Sequence, residues 1–264
     1  MNILCIGDIF GKPGREILHR KLPELIEKHQ IGFVLVNVDN AAGGKGLTDT
    51  VADELLQLPI NVMTAGNHIW QHKSIHSHLE RSPILRPYNI SGKHPGKGFS
   101  LIPSKKFGMV GVIHLQGKAY MPELKTVQTE SPFPLVEDLV GKLRSETNVI
   151  LVDVHAEATA EKRALGWLLD GKVSALFGTH THVQTADEEI LPKKTAYISD
   201  IGMTGPHQSV IGLDKEIAIK RFMSGGQYKK FEVASEGIRL EGIVLKVDVT
   251  TGEALSIQRI KEVA

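Results

Sequence analysis

A chain of 264 residues, 41% hydrophobic and 23% charged, can bury a large core, which excludes a disordered or fibrous class. A formal net charge of +1 offers no electrostatic case for a stable nucleic-acid or membrane partner. No stretch approaches the roughly 20 apolar residues that span a bilayer. Cys5 is the one cysteine, so an intramolecular disulfide and a thiolate zinc cluster are both excluded. The opening MNILCIGDIFG lacks the basic region of a signal peptide, and a cytoplasmic location is the expectation.

In chain order, NILCIG (2–7) reads as a buried strand with Cys5 as a small hydrophobe inside it. PGREILHRKLPELIEKHQ (13–30) reads as a helix, with Pro13 in its first turn and Pro23 marking a kink or break. FVLVNV (33–38) is a second strand, and TDTVADELLQL (48–58) a helix capped by Thr48 or Asp49. INVMTAG (60–66) is a third strand, followed by a polar helical stretch at 72–80. Residues 81–106, rich in Pro, Gly and Lys, read as a long surface connection. Strands are expected at 107–115, 148–154 and 173–178, with a helix at 159–170. Residues 195–200, 216–223, 229–233 and 237–249 also read as strands, the last group as an antiparallel meander. Runs apolar over their whole length suit strands covered on both faces. One α/β domain over 1–264, with two sheets pressed together, is the simplest architecture.

The residues that follow these strands carry the chemistry. Asp8 follows the first, Asp39 and Asn40 the second, Asn67 and His68 the third. His155 follows the strand at 148–154, and the run Thr179, His180, Thr181, His182 follows 173–178. Parallel strands share one carboxyl edge, where ligands bind in open α/β sheets, so these segments would meet in one cleft. A His-x-His pair alone is weak evidence; as the last member of such a set it reads as a ligand pair. An extended backbone would send both rings to one side, and a turn would splay them. Two carboxylates, two asparagines and three histidines exceed one tetrahedral zinc. They suit two ions about 3.5–4 Å apart, an arrangement used in phosphoester hydrolysis. Such donors accept iron, manganese or zinc.

The motifs GDIFGKPG, NVDNAAGGKG, TAGNHIW, DVHAEATAEK and GTHTHVQTAD occur in that order, with YISDIGMTGP at 197–206. Together they closely resemble the YmdB-like family of bacterial metallophosphoesterases, distant relatives of the calcineurin-like phosphoesterases. The resemblance implies a four-layer α/β/β/α sandwich, a di-iron or mixed-metal centre, and hydrolysis of phosphodiesters including 2′,3′-cyclic nucleotides. By matching position it implies Asp8, Asp39, Asn40 and His182 on one metal, and Asp39, Asn67, His155 and His180 on the second. Asp39 would bridge and His68 would be the proton donor. The expected chemistry is attack on phosphorus by a metal-activated hydroxide, with His68 protonating the departing oxygen. The chain departs from the pattern twice. It has Asp39 where the family generally carries Glu, and Phe10 where the wider superfamily places a histidine, a contact that Asn40 is expected to supply.

Other readings stand beside these. Asp8 or His68 could cap the helix that follows it. NAAGGKG (40–46) is either a flexible loop or a glycine run allowing close backbone approach to metals or phosphate. Glu157 completes a His-x-Glu with His155, but a deaminase also needs Pro-Cys-x-x-Cys. GDIFGK fails as a phosphate loop because three residues separate its glycines. His72, His76 and His78 could form an i,i+4 metal pair if helical, but without carboxylate partners other than Glu80 they read as a solvated face, and His72 remains open as a cleft liner. His19, His29, His94, His114 and His207 are assigned to no cluster, and Thr204 and Gly205 to pocket shaping at most. Two further function classes remain: a metal-bearing regulatory protein with little catalysis, and a phosphomonoesterase. The sequence leaves a homo-oligomer open.

Overall fold

The computed structural model describes residues 1–105, 107–122 and 127–264. Lys106, the last residue of the expected surface connection, lies outside them. The chain runs β1 (Asn2–Ile6), β2 (Asp8–Ile9), α1 (Gly11–Lys28), β3 (Ile31–Asn37), α2 (Asp49–Leu56) and β4 (Val62–Thr64). A single 3₁₀ turn then leads into α3 (His76–Arg81) and β5 (Ile84–Leu85). Next come β6 (Phe99–Ser104), β7 (Gly108–Gln116), α4 (Pro132–Leu143), β8 (Val149–His155) and α5 (Thr159–Leu169). The remainder is β9 (Ala175–Thr179), β10 (Glu189–Ile190), β11 (Ala196–Ile198), β12 (Met203–Pro206), α6 (Lys215–Met223), β13 (Ile238–Val247) and β14 (Ala254–Val263).

These strands form two sheets. In the first, β1, β3, β4 and β5 are parallel, and β13 pairs antiparallel with β1, β12 and β14. In the second, β7, β8, β9 and β11 are parallel, with β6 and β10 antiparallel at the two edges. The period-two alternation of strands sorts their side chains. Leu4 and Ile6 of β1 join the core beneath α1 and α2, whereas Ile3 and Cys5 face Phe177, Val112 and Leu151 of the other sheet. Val152 and Leu176 pack on the far side of that sheet against Val136 of α4 and Leu165 of α5. Three apolar seams therefore separate four layers, the α/β/β/α order implied by the resemblance. Strands buried on both faces explain why their sequences are apolar throughout.

Several elements differ from the expectation. α1 continues through Pro23 without a break. Residues 216–223 are helical because Asp214 accepts hydrogen bonds from the Glu216 and Ile217 amides, an N-cap that outweighs the β-branched alternation of IAI. Residues 229–233 form no strand; Val233 makes only an isolated bridge to Leu213. The stretch 81–106 contains β5 and the whole of β6, so it is not simply a surface connection. β13 does not continue a meander; it is the central strand to which β1, β12 and β14 attach. α4 and β14 had no counterpart in the expectation. Thr48, not Asp49, caps α2, its hydroxyl accepting from the Val51 amide.

A candidate dinuclear metal centre

The two parallel sheet cores turn their carboxyl ends to the same end of the sandwich. Register places Ile6 beside Val36, Asn37 beside Thr64 and His155 beside Thr179, so the residues that follow emerge together. Nε2 of His155 stands 3.1 Å from Asn67 Oδ1, 3.1 Å from His180 Nδ1 and 3.3 Å from Asp39 Oδ2. Nε2 of His182 stands 3.2 Å from Asn40 Oδ1 and 3.8 Å from Asp8 Oδ1. The same Asp8 oxygen lies 3.8 Å from His155 Nδ1. All seven sequence-derived ligand candidates thus lie in one contact network. Asp8 does not cap α1: the N-cap position is Phe10, and the Asp8 carboxylate instead accepts from the His180 amide at 3.2 Å.

The turn between the two histidines is strained. His180 has φ +98° and His182 φ +63°, both in the left-handed region that non-glycine residues rarely occupy. The rings consequently diverge, His180 toward His155 and His182 toward Asn40. A buried ion pair holds the turn from beneath. Lys162 Nζ donates to Asp200 Oδ2 and to the Thr179 carbonyl, each at 2.9 Å. Asp200 Oδ2 also accepts from the Thr181 amide at 3.1 Å and its hydroxyl at 2.8 Å.

The hydrogen bonds fix a proton on one nitrogen of each ring. His182 Nδ1 faces the Ile211 carbonyl at 2.8 Å, an acceptor only, so Nδ1 is the donor and Nε2 keeps its lone pair. The Thr179 hydroxyl donates to Asp153 Oδ1 at 2.8 Å, so it accepts from His155 Nδ1 at 3.0 Å. His180 Nε2 faces the Glu157 carboxylate 3.4 Å away, which leaves Nδ1 as the unprotonated atom. Orienting partners of this kind behind each imidazole are what metal-binding histidines need. Asp153 is anchored in turn by Thr64 Oγ1 at 2.6 Å and Asn37 Nδ2 at 3.2 Å.

The electrostatics agree with this arrangement. Burial pushes Asp39 up, yet the His155 ring and the His68 amide outweigh it and bring the carboxyl to about 2. Burial lowers His155, but Asp39, Asp8 and Asp153 together more than offset it and the ring ends above its ordinary value. Burial, then the neighbouring His155, pushes His180 down to about 2, so that ring is neutral. Burial raises Asp8, with His182 and His155 opposing. Among the described residues no three His, Cys, Asp or Glu side chains already stand around an ion-sized space. The same atoms close on one another instead, with the His155 Nε2 proton lying among three electron pairs. Asp8 Oδ1 is buried and makes no hydrogen bond. An unpartnered buried carboxylate oxygen is costly unless a cation compensates it. By orphaned oxygen, fixed tautomers and donor chemistry, these residues fit metal ions.

The Gly66 backbone presses against the His155 ring: a Cβ there would come within 2.1 Å of His155 Cδ2. Gly66→Ala must displace that ring, so purified variant is expected to fold by circular dichroism and to hold less metal by elemental analysis. A full metal complement would contradict the placement.

A cavity of about 370 Å³ opens over the centre, lined by His68, His180, His182 and Asn40 together with Phe10, Lys45, Glu157, Ile211, Leu213 and Phe231. Lys45 lies over the Phe231 ring at 4.8 Å. The 40–46 glycines let the loop pack on itself and its neighbours: a Cβ at Gly44 would meet the Phe10 ring at 2.9 Å. His68 lines this cavity, and its amide donates to Asp39 Oδ1 at 3.0 Å. Phe10 packs edge-on against His182 with centroids 5.4 Å apart. Thr204 and Gly205 do not line the cavity; the Thr204 carbonyl accepts from the Phe10 amide.

Other readings need correction. His78 is buried and its Nε2 lies 2.9 Å from Asp53 Oδ1, so it belongs to no solvated face and has a carboxylate other than Glu80. His114, assigned to no cluster, is fully buried 3.2 Å from Asp153 Oδ2, behind His155. Sequence reasoning also missed Thr179, Lys162 and Asp200 as supports. The signal for Asp153 was present: a carboxylate inside the apolar run VILVDV is rarely buried without a partner.

A family model described as YmdB-like protein matches residues 4–260. The chain belongs to the YmdB-like family. It is 42% identical over 261 residues to the 2′,3′-cyclic-nucleotide 2′-phosphodiesterase of Bacillus subtilis (strain 168), covering 98% of this chain and 96% of that relative. A crystal structure of a hypothetical protein from Thermus thermophilus superposes with a TM-score of 0.91 at 34% identity, covering 100% of this chain and 99% of the other. A crystal structure from Mycoplasma pneumoniae, described as a novel phosphatase, gives the same TM-score and identity over 100% of this chain and 93% of that one. The YmdB-like assignment accounts for the two-sheet α/β architecture and for metal ions as the expected cofactor class. No helix among the described residues is long and apolar enough to cross a membrane.

Proposed function

We propose that the chain is a dinuclear metal-dependent phosphodiesterase that hydrolyses 2′,3′-cyclic nucleotides, with iron as its resident metal. Asp8, Asp39, Asn40 and His182 would hold one ion, and Asp39, Asn67, His155 and His180 the other, with Asp39 shared. The observation that supports this reading is the convergence of three imidazole nitrogens, two carboxylates and two amide oxygens, one carboxylate oxygen being buried and unpartnered. When bound, such ions supply positive charge against the phosphate oxygens and make a water acidic enough to attack at neutral pH.

The chain's own residues would supply the rest. Lys45 is the one lysine or arginine among the cavity-lining residues and would draw the anionic diester inward. Phe10, Ile211, Leu213 and Phe231 exclude bulk water from one side of the cavity. His68 would give a proton to the 2′ oxygen as it leaves, so that a 3′-phosphate remains. Its Nε2 lies 3.4 Å from Asn67 Nδ2, a donor, which assigns the proton of the neutral ring to Nδ1. Burial lowers the His68 pKa, with Asp39 opposing, so the substrate's negative charge would favour the protonated ring when it is needed.

The test is turnover by Mn²⁺- or Fe²⁺-loaded protein of 2′,3′-cyclic AMP, bis(p-nitrophenyl) phosphate and p-nitrophenyl phosphate. Diesters should be preferred and cyclic AMP should yield the 3′-monophosphate. Full metal occupancy without turnover would favour a regulatory role, and a monoester preference a phosphomonoesterase. His68→Ala should lower kcat by ~10²–10⁴-fold with metal content intact. Loss of metal alongside activity would make His68 a ligand instead.

A further inference from the structure

A second cavity of about 420 Å³ adjoins the first, and the two share Ile211 and Leu213 as a common wall. Its other lining residues are Val210, Ala218, Arg221, Phe222 and the Gly225–Gly226 pair at the end of α6. The shared wall is rigidly placed. Val210 and Leu213 exchange backbone hydrogen bonds across a tight turn, and Leu213 bridges to Val233. Ile211 at the tip has φ +47°, a strained value for a β-branched residue, and its carbonyl accepts from His182 Nδ1. The ridge between the cavities is therefore tied to a candidate metal ligand. The second cavity is apolar apart from one guanidinium. Phe222 stands 81% exposed and Ile211 50% exposed, an apolar surface that calls for an occupant.

We propose that this second cavity is the nucleobase subsite of the enzyme. The inference rests on the cyclic-nucleotide reading given above and adds where the base is held. A base has two apolar π-faces and a polar edge, which suit Phe222 and Leu213 on the faces and Arg221 as a stacking or edge partner. The catalytic cavity has its floor committed to histidine and asparagine donors. A ribose bound with its phosphate over those donors would carry the base across the Ile211–Leu213 ridge. The volume falls in the range of small-ligand pockets. Recognition by stacking on an exposed aromatic tolerates any base, so the subsite would favour nucleotides over simple diesters without strong discrimination among bases.

The experiment is calorimetric binding to the full-length, Mn²⁺-loaded protein of two probes, adenosine 3′-monophosphate and inorganic phosphate. Wild-type protein should bind the nucleotide at least about tenfold more tightly than phosphate. Phe222→Ala, at an exposed position that does not endanger folding, should weaken nucleotide binding about tenfold and leave phosphate binding unchanged. Arg221→Ala should act in the same direction, and in turnover both variants should raise KM for 2′,3′-cyclic AMP while kcat stays within about twofold. Equal affinity of wild-type protein for both probes, or nucleotide binding unaffected by both variants, would overturn the subsite. A dimer that Phe222→Ala dissociates, with nucleotide preference intact, would also overturn it by assigning the face to a second copy. Nucleotide preference lost in Phe222→Ala while wild-type protein fails to hydrolyse any diester would retain the subsite and sink the catalytic reading alone.

Discussion

Asp39→Asn is expected to lower diester turnover by well over ~100-fold, because residues that merely orient metal ligands already cost 10–100-fold when removed. The substitution keeps an oxygen for the His68 amide, which donates to Asp39 at 3.0 Å, so the fold should survive. It removes the charge that lifts His155 and that both ions would share. Elemental analysis should find metal loss at both positions rather than one. Asp39→Glu restores the charge with one more methylene and should keep turnover within about tenfold, a range set by small shifts of a reacting geometry. A fully active Asp39→Asn variant would remove Asp39 from the centre altogether.

Lys162→Met should produce the largest loss of stability. Lys162 and Asp200 are almost fully enclosed, with side-chain exposures of 2% and 1%. Removing the lysine strands a buried carboxylate, a change that costs about 3–5 kcal/mol. In a protein of this size that corresponds to a fall in Tm on the order of 10 °C by thermal melting. The same change frees the Thr179 carbonyl and loosens the turn in which His180 and His182 hold positive φ. Metal should therefore be lost more readily from the variant even at temperatures where it remains folded. An unchanged Tm would show that the pair supports neither the turn nor the core.

The residues that follow each parallel strand were legible in the sequence because two physical signals coincide there. An apolar run ends, and a side chain with a lone pair comes next, as at Asp8, Asp39, Asn67, His155 and His180. Parallel pairing then brings those positions to one edge without further information. The supports were not legible because their partners are remote. Lys162 and Asp200 are 38 residues apart, and Thr64 is 89 residues from Asp153. A lone lysine in a helix or threonine at a strand end carries no sign of such a bond. α6 was misread because Ile217, Ala218 and Ile219 alternate like a strand, and only the Asp214 cap decides for a helix. His78 and His114 looked idle for the same reason as Lys162: Asp53 and Asp153 meet them only in three dimensions. The splayed His180 and His182 rings follow from backbone torsions that a His-x-His spacing leaves undetermined.

Anomalous diffraction from crystals grown with Mn²⁺ tests the centre most directly. Two peaks per chain are expected within bonding reach of Asp39, one flanked by Asp8, Asn40 and His182, the other by Asn67, His155 and His180. Peaks elsewhere on the chain, or none at these side chains in fully Mn²⁺-loaded crystals, would contradict the account.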